Sequence, residues 1–481
     1  MMRSMYSAVA GLRAHQTKMD VIGNNIANVN TTGFKASNVV FSDVYYQTLQ
    51  SATGANSTTG AAGQNARQIG LGSKLTSITP NMTTQGGAQA TDNAMDIMLS
   101  GDSFFIVNSA GQTCFTKAGA FGVDAVGNLC TSSGALVMGW ESDDAGEIVR
   151  GQVKKLAVMG PDYLYSSPAA TTETYLSGNI DATDTKLAAE GVPFTVNFYD
   201  NLGYSYTAVF AIKQTDAATA TYEAELTDVL DADSKSILVT ETPGTGGGAS
   251  TFAASTAVPS VDGTAGTIAV DTLGKVTSTG VKFALKFNTV SGKFESVGAS
   301  PATDPMDPKY GIVNLSIAGS EFPTEGIRID FSSLTQYSTN GTSSVASTRG
   351  NKLNGAGAGT AFGNLKGIAI GSDGIISGTY DNGTKRVLGQ IAVATFSNPS
   401  GLEAVGDRMF VETVNSGTFD GIGQDVVQGG GSMLSGYLEM SNVDLSNEFT
   451  NLITTQRGFQ ANSRIITTSD SLLEELVNLK R

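Results

Sequence analysis

The chain has 481 residues, of which 29 are basic and 44 acidic, so its formal net charge is −15. An acidic chain without a dense run of Lys and Arg argues against nucleic acid and anionic membranes as main partners. One histidine, His15, and two cysteines, Cys114 and Cys130, are too few for a His-based triad, a zinc site or a disulfide framework. We therefore predict no catalytic residue, no metal site and no cofactor.

No apolar run reaches the roughly 18 residues that span a bilayer, so no membrane insertion is predicted. The N-terminal residues also lack the apolar core of a signal peptide, which predicts a chain without a cleaved signal. Charged residues make up only 15% of the chain and glycines number 58. A composition rich in Gly, Ser, Thr and Asn favours a mainly β protein with many tight turns. Of the rarer side chains, His15 is expected to be solvated, and Cys114 and Cys130 to pack as small apolar groups.

The two ends of the chain carry a helical pattern instead. In the first thirty residues, apolar side chains recur in steps of four and three, at Met5, Val9, Leu12, Met19 and Ile26. The last forty residues repeat the stripe at Leu445, Phe449, Leu452, Phe459, Ile466 and Leu473, after an N-cap expected at Ser441 or Asn442. Single helices with so thin a stripe are marginal in water, so we expect the two to form a coiled coil with each other or with copies.

Between the ends the apolar period changes to two. The alternation over 194–200 and 206–212 predicts a β-hairpin turned at 201–203. The segment of about 240–265 and residues 342–363 are poor in large apolar groups and are expected to be exposed connections. The run Gly244–Ala249 is expected to be a loop and not a phosphate cradle, because the Gly-Lys-Ser/Thr ending is missing.

The most informative motif follows the first helix and consists of Gly23, Asn24, Asn25, Ile26, Ala27, Asn28, Asn30, Thr32, Gly33, Phe34 and Lys35. Physically it is the helix exit, where Asn28, Asn30 or Gly33 is expected to take a left-handed conformation. Here the sequence resembles the axial proteins of the bacterial flagellum, the rod, hook and hook-associated subunits. The resemblance continues in order through 84–127, 199–203, 389–402 and 438–462, and so covers essentially the whole chain.

The resemblance implies an elongated, nested subunit, mainly β with terminal α-helices that form a coiled coil. The expected parts are the N-terminal helix (1–30), a connecting segment (31–75), a β domain shared by the axial proteins (76–164 and 351–440), an inserted outer β domain (165–350, with an extra subdomain near 215–310) and the C-terminal helix (441–481). An insert of this length is what a hook subunit carries, whereas rod subunits are shorter.

By resemblance, the chain is expected to be a structural subunit of the hook, a flexible curved tube that transmits motor torque and lets exported subunits pass. Its expected partners are its own copies, the rod, the hook cap, the hook–filament junction proteins and the flagellar type III export apparatus. The expected location is the hook, outside the cell. A distal rod subunit or other axial subunit is the alternative, followed by a secreted β-rich adhesin.

One short motif points to export. Phe41 and Tyr45 have the Phe-x-x-x-hydrophobic spacing that export-gate recognition motifs take in this family. The opposing interpretation, that Phe41 only packs under the neighbouring helix, has equal weight.

Overall fold

The chain is described here from a computed structural model, which covers residues 2–54, 60, 62–143, 146–242, 250–298 and 310–479. The described residues are mostly β, with one long helix near each end of the chain. This confirms the predicted fold class. The chain divides into two compact units: unit 1 comprises residues 1–164, 366–379 and 385–481, and unit 2 comprises 165–365 and 380–384.

The first part of unit 1 contains helix α1 (Met2–Ala27) and twelve strands. They are β1 Ser37–Asp43, β2 Tyr46–Gln50, β3 Arg67–Gly70, β4 Ser73–Pro80, β5 Ala88–Ala90, β6 Ile97–Ser100, β7 Phe104–Ser109, β8 Gln112–Thr116, β9 Phe121–Val123, β10 Leu129–Thr131, β11 Leu136–Glu141 and β12 Lys154–Lys155.

The following strands belong to unit 2. They are β13 Tyr165–Ser166, β14 Glu173–Asn179, β15 Val192–Tyr199, β16 Ser205–Asp216, β17 Thr221–Leu230, β18 Val239–Thr242, β19 Thr251–Ala254, β20 Pro259–Val261, β21 Thr264–Ala265, β22 Ala269–Val270, β23 Val276–Ser278, β24 Lys282–Phe287, β25 Phe294–Val297, β26 Ile312–Ile317, β27 Ile327–Thr335 and β28 Ser344–Arg349.

Two strands, β29 (Gly363–Ile370) and β30 (Ile375–Tyr380), contain residues of both units. The chain then completes unit 1 with β31 Lys385–Ile391, β32 Val393–Ala394, β33 Glu403–Gly406, β34 Met409–Val411, β35 Ser432–Ser435, β36 Tyr437–Glu439 and helix α2 Leu445–Asn478. Short 3₁₀ helices lie at Thr185–Ala188 and Pro399–Gly401.

The core of unit 1 lies on both faces of a sheet ordered β29–β30–β31–β11–β7–β8–β34–β33. Strand β7 shows why, because its run of consecutive apolar residues, Phe104 to Val107, is fully buried. Phe105 and Val107 pack in one apolar cluster with Cys114, while Phe104 and Ile106 pack in a second cluster with Trp140. Alternate side chains of a strand point to opposite faces, so a continuous apolar strand requires cover on both. Cys114 packs as the small apolar group that the sequence predicted.

Unit 2 is a sandwich of a five-stranded sheet, β15–β16–β17–β24–β25, and a six-stranded sheet, β21–β20–β26–β27–β14–β28. One apolar cluster takes side chains from both sheets, including Phe194 and Phe210 from the first and Phe331 from the second. The hairpin predicted from alternation is confirmed, since β15 and β16 pair antiparallel with Phe198 opposite Tyr206.

A buried carboxylate organises one end of this sandwich. Asp181 is 1% exposed. Its Oδ1 accepts hydrogen bonds from the backbone N–H and hydroxyl of Thr183, and its Oδ2 accepts from the N–H groups of Thr339 and Gly341. These bonds hold the pKa of Asp181 far below its usual range. The carboxylate thereby joins the chain after β14 to the loop before β28.

Some local predictions were wrong. The segments expected to be exposed connections contain strands β19, β20 and β28, because each finds a neighbouring strand to pair with. The Gly244–Ala249 run lies outside the described residues. The domain boundaries proposed from the resemblance stay predictions.

Candidate functional site: the terminal helix pair and its junction

Helices α1 and α2 pack against each other in antiparallel orientation. Gly11 faces Asn462, His15 faces Gly458, and Asn25 faces Glu448, so the contacts advance along α1 as they retreat along α2. A Cβ built on Gly11 would lie 2.7 Å from Asn462 Nδ2, and one on Gly458 would lie 2.8 Å from His15 Nε2. The small residues therefore allow a close approach of the two helices.

The fully buried residues of the two helices are not those of the apolar stripes. On α1 they are Ala8, Gly11, Ala14, Ile22 and Asn25, and on α2 they are Glu448, Thr455 and Ser469. Ala8, Gly11 and Asn25 each precede a stripe residue by one position, which corresponds to a rotation of about 100° around the helix. Apart from Ile22, the fully buried side chains are small or polar.

Three of the eleven predicted stripe residues are exposed. Val9, Leu445 and Phe449 are exposed, with Phe449 at 49%. The others are partly buried: Met5, Leu12, Met19, Ile26, Leu452, Phe459, Ile466 and Leu473. The structure does not bring the two stripes together as one intramolecular core, and their role in packing between subunits stays a prediction.

Helix α2 begins at a different cap from the one expected. Its N-cap is Asp444, whose side chain accepts hydrogen bonds from the N–H groups of Ser446 and Asn447. The prediction of Ser441 or Asn442 as the N-cap was wrong, because the side chain of Asn442 makes hydrogen bonds elsewhere. Its Oδ1 accepts from Ala36 N–H at 2.7 Å, and its Nδ2 donates to the carbonyl oxygens of Asn81 and Thr84.

The asparagine-rich motif is the junction between the helix pair and the strands that follow. Asn25 donates from Nδ2 to the Ser37 carbonyl oxygen and accepts from Ser37 N–H, both at 3.0 Å. It also reaches Glu448 Oε1 on α2 at 3.4 Å. One buried amide side chain therefore connects α1, β1 and α2.

Lys35 ends the motif in a buried ion pair. Its Nζ lies 2.7 Å from Glu439 Oε1, and the two side chains are 2% and 1% exposed. The same ammonium donates to the Thr84 carbonyl oxygen, and the same carboxylate accepts from Gly86 N–H. A buried Lys is rare unless paired, so the motif needs the C-terminal segment to satisfy it.

A second buried ammonium lies in the same region. Lys117 donates from Nζ to the Gly101 carbonyl oxygen at 2.6 Å and lies 5.0 Å from the centroid of the Phe104 ring. Burial lowers the pKa of Lys117 to about 8, while the charge of Glu439 acts in the opposite direction.

The exit of α1 follows one of the expected alternatives. Gly33 takes the left-handed conformation with φ of 70°, and a Cβ there would lie 2.9 Å from Ala118 N. Neither Asn28 nor Asn30 has a positive φ. Asn28 instead donates to the Asn24 carbonyl oxygen. Of the remaining motif residues, Thr32 accepts from Arg408 at 2.9 Å, whereas Gly23 has open space where a Cβ would be.

His15 and Phe41 meet under α1. Their ring centroids are 5.9 Å apart in an edge-to-face arrangement, and Lys18 Nζ lies 5.8 Å from the Phe41 ring. The expectation of a solvated His15 was wrong: its Nδ1 is buried and finds no hydrogen-bond partner among the described residues. Phe41 packs beside the helix, whereas Tyr45 is 75% exposed.

Sequence reasoning missed the partners of the motif. Glu439, Asn442 and Glu448 all lie in the C-terminal stretch that carried the resemblance, but nothing in a single sequence pairs them with residues about 400 positions earlier. Lys35 gave no signal either, because a lysine in a polar segment is ordinarily exposed, and only the structure shows that it is buried and paired.

The described part of the chain contains no group of three or more His, Cys, Asp or Glu residues arranged to hold a metal ion. Within the same part, neither helix has the long apolar stretch that crossing a bilayer requires.

Three family profiles match the chain, and together they include both helices and part of the β region. Residues 5–35 match the flagella basal body rod protein family. Residues 98–175 match the D1 domain of the flagellar hook proteins FlgE, FlgF and FlgG, and residues 434–479 match the C-terminal region of the flagellar basal body rod FlgEFG proteins.

Full-length relatives extend the similarity to the whole chain. The flagellar hook protein FlgE of Treponema pallidum is 34% identical, with 100% of each chain covered. The flagellar hook protein FlgE of Borreliella burgdorferi has the same identity and coverage. The flagellar basal-body rod protein FlgG of Bacillus subtilis is 25% identical, again with 100% of each covered.

Proposed function

The chain belongs to the family of flagellar rod and hook proteins and is a structural subunit of the flagellar hook, and we propose that it polymerises through the apolar stripes of its paired terminal helices. The carrying observation is the exposure of apolar side chains on both helices. Apart from Ile22, the fully buried residues of the two helices are small or polar, whereas Val9, Leu445 and Phe449 are exposed and available to neighbouring copies. A head-to-tail interface that does not close on itself generates an open helical filament.

The exposed stripe on α2 supports this assignment. Leu445 and Phe449 lie on its first turns with Ile453 beside them at 57% exposure, and Leu472 and Leu476, at 51% each, form a second exposed apolar site near its C-terminal end. Burial of apolar area contributes roughly 25 cal/mol per Å². Several such side chains covered by neighbours would supply substantial association energy.

Unit 2 is proposed to form the outer part of the tube and to let subunits slide as the curved hook rotates. Several of its charges are paired within the unit, for example Lys282 with Glu223 at 3.0 Å and Lys286 with Glu295 at 3.1 Å. Charges that are paired within one subunit are less available for ion pairs that would hold neighbouring copies in one position. The tube would then bend while it transmits torque and keeps its channel open. Glu295→Gln tests this proposal, because it frees the charge of Lys286 to bind neighbouring copies; the tubes should become stiffer, and an unchanged bending stiffness would contradict the proposal.

Further partners are proposed from the same family: the rod, the hook cap, the hook–filament junction proteins and the type III export apparatus. We propose the hook, outside the cell, as the location, no catalytic role, and export without a cleaved signal. The folded contacts of Phe41 do not oppose its use in export, since a chain that passes a narrow channel is unfolded. Normal secretion of a Phe41→Ala variant would remove Phe41 and Tyr45 as an export-gate motif.

Electron microscopy of the purified chain at rising concentration and salt tests the assembly proposal. We expect curved tubes from the full chain and only monomers from a variant without residues 1–30 and 441–481. Tubes from both would place the polymer contacts in the β units and contradict the proposal.

A distal rod subunit remains the second candidate, since one relative carries the name of a rod protein. The greater identity to two hook proteins favours the hook. Straight rather than curved tubes in the same experiment would favour the rod. The relatives named above give no support to a secreted adhesin.

A further inference from the structure

His15 is a titratable side chain in contact with both terminal helices and with strand β1. It is the only histidine of the 481 residues, and it lies on the seam between α1 and α2. Its half-buried ring contacts Gly458 of α2 on one side and the Phe41 ring of β1 on another. The described residues offer its buried Nδ1 no acceptor. A neutral imidazole fits this place, whereas an imidazolium has two N–H donors to satisfy.

We propose that His15 is an acid-sensitive latch of the terminal helix pair: its neutral ring lets α1 and α2 close, and its protonation separates them. A proton added to the ring produces a buried N–H without an acceptor, which is costly. The added charge also lies three positions from Lys18, within reach on the same helix face, so the two cations repel each other.

The surrounding charges do not compensate. On α1, Lys18 is the charged group that acts on His15. The contact residues on β1 and α2 are Phe41 and Gly458, which carry no charge. Strand β4 also packs on α1. The charged residues nearest to this place in the sequences of these elements are Arg13 and Asp20 on α1, Asp43 on β1, Lys74 on β4, and Arg457 and Arg464 on α2, with Glu448 nearly three turns away.

The sign of the effect follows from proton linkage. Burial and the charge of Lys18 lower the pKa of His15 below its ordinary value of 6.5. The unfolded or separated helices therefore bind more protons than the closed pair as the pH falls below 6.5. The stability that the closed pair draws from a neutral His15 is complete above 6.5 and is lost as the pH falls through the lowered pKa.

Closure of the pair arranges the stripes that the proposed function uses, so the inference rests on that function for its consequence in the polymer. It extends the function by giving the assembly a reversible response to acidity. The helix pair itself can be followed in the full chain whether or not tubes form, and the two proposals can therefore fail separately.

The test is amide hydrogen exchange of the full chain at pH 7.5 and 5.5, corrected for the intrinsic effect of pH on exchange. We expect opening of peptides from Ala8–Asn25 and Glu448–Asn462 to increase several-fold in acid, because the separated helices hold the added proton more tightly than the closed pair does. Strand β7 is the internal reference and should not change. Exchange in α1 that does not depend on pH would overturn the latch.

Two variants separate the latch from general acid sensitivity. His15→Gln keeps a polar planar side chain that does not titrate, and His15→Leu is the second choice where the first does not fold. Both should keep α1 protected at pH 5.5. An equal loss of protection in these variants would contradict the assignment. A single imidazole resonance in the full chain, labelled at histidine, should titrate below 6.5, and a midpoint at or above that value would also overturn it.

Electron microscopy completes the comparison. Tubes assembled at pH 7.5 should shorten at pH 5.5 in the wild type but not in His15→Gln. Failure of both chains to form tubes at pH 7.5 contradicts the proposed function alone, because the exchange measurement still decides the latch in the soluble chain.

Discussion

Lys35 and Glu439, 404 positions apart in the sequence, meet as a buried ion pair with 2.7 Å between Nζ and Oε1. The pair joins the end of the N-terminal motif to the strand that precedes α2. Because neither charged group is hydrated by solvent, each is stabilised in the folded chain by its pairing with the other.

Removal of one partner should therefore be severe. Glu439→Leu leaves an unpaired buried ammonium, and we expect a loss of about 3–5 kcal/mol in the free energy of unfolding, measured by denaturant titration. The double variant Lys35→Met with Glu439→Leu should recover a large part of the loss. A double variant as unstable as Glu439→Leu alone would mean that packing, and not charge, makes this site sensitive.

Lys117 should make stability depend on alkaline pH. Its pKa of about 8 in the folded chain lies below the ordinary 10.5, so the unfolded chain binds more protons between these values and stability rises with pH. We expect the wild type to gain up to about 3 kcal/mol across this range relative to Lys117→Met. Lys154→Met, at an exposed strand position, is the control and should follow the wild type. Parallel curves for wild type and Lys117→Met would contradict the prediction.

Asp181 should make unit 2 sensitive to acid. Its pKa is far below normal in the folded chain because backbone N–H groups donate to the carboxylate. Its contribution is therefore complete above pH 4 and is lost as the pH falls below that value. Asp181→Asn turns one acceptor into a donor that faces the N–H groups of Thr339 and Gly341, so unit 2 should be less stable at pH 7 and respond less to acid. Glu190→Gln, an exposed change in the same unit, should leave the acid response as it is.

Two helical glycines should respond in opposite directions to alanine. Gly23 has no atom within 4 Å of a built Cβ, so Gly23→Ala should stabilise α1 by about 1 kcal/mol through helix propensity. At Gly458 the same change places a methyl group against the His15 ring, and the clash should cancel or reverse the gain. Thermal unfolding of both variants, followed by helical circular dichroism, checks the difference. Equal gains in thermal stability would mean that the His15 ring moves away from the new methyl group without loss of stability.

The apolar stripe should matter for assembly and little for the isolated chain. Phe449→Asn exchanges residues of similar helix propensity at a half-exposed position, so the free energy of unfolding should change by less than about 1 kcal/mol. Tube formation should be reduced strongly. Val414→Asn alters a fully exposed valine outside the helices and is the matched control. Normal tubes from Phe449→Asn would remove this residue from the proposed interface.

The sequence predicts well what depends on local periodicity. The two helices, the β15–β16 hairpin and the left-handed Gly33 follow from spacing and turn chemistry. What depends on distant partners was not predictable. Asn442 is a residue type that often caps helices, but its side chain is hydrogen-bonded to the backbone of Ala36, Asn81 and Thr84. The N-cap of α2 is therefore Asp444.

His15 illustrates the same limit at the site. A histidine among polar neighbours on a helix is typical of a solvated side chain, and only the approach of Phe41 and Gly458 leaves it half-buried with its Nδ1 covered. The positions of the apolar stripes follow from the spacing in the sequence, and their role between subunits stays a prediction. The burial of Ala8, Gly11 and Asn25 beside the stripe of α1 could not be predicted, because it depends on which residues of the other elements come to lie there.

The strand pairing at the start of unit 2 has a consequence for how such proteins vary. Tyr165 lies opposite Asn364, and Ser166 lies opposite Gly363, in an antiparallel pair. Backbones paired in this way are about 5 Å apart. The chain therefore enters unit 2 and leaves most of it at two points that lie side by side. Lengthening, shortening or exchange of this cassette leaves its attachment points in place, so unit 2 is free to diverge in sequence and size independently of the paired helices.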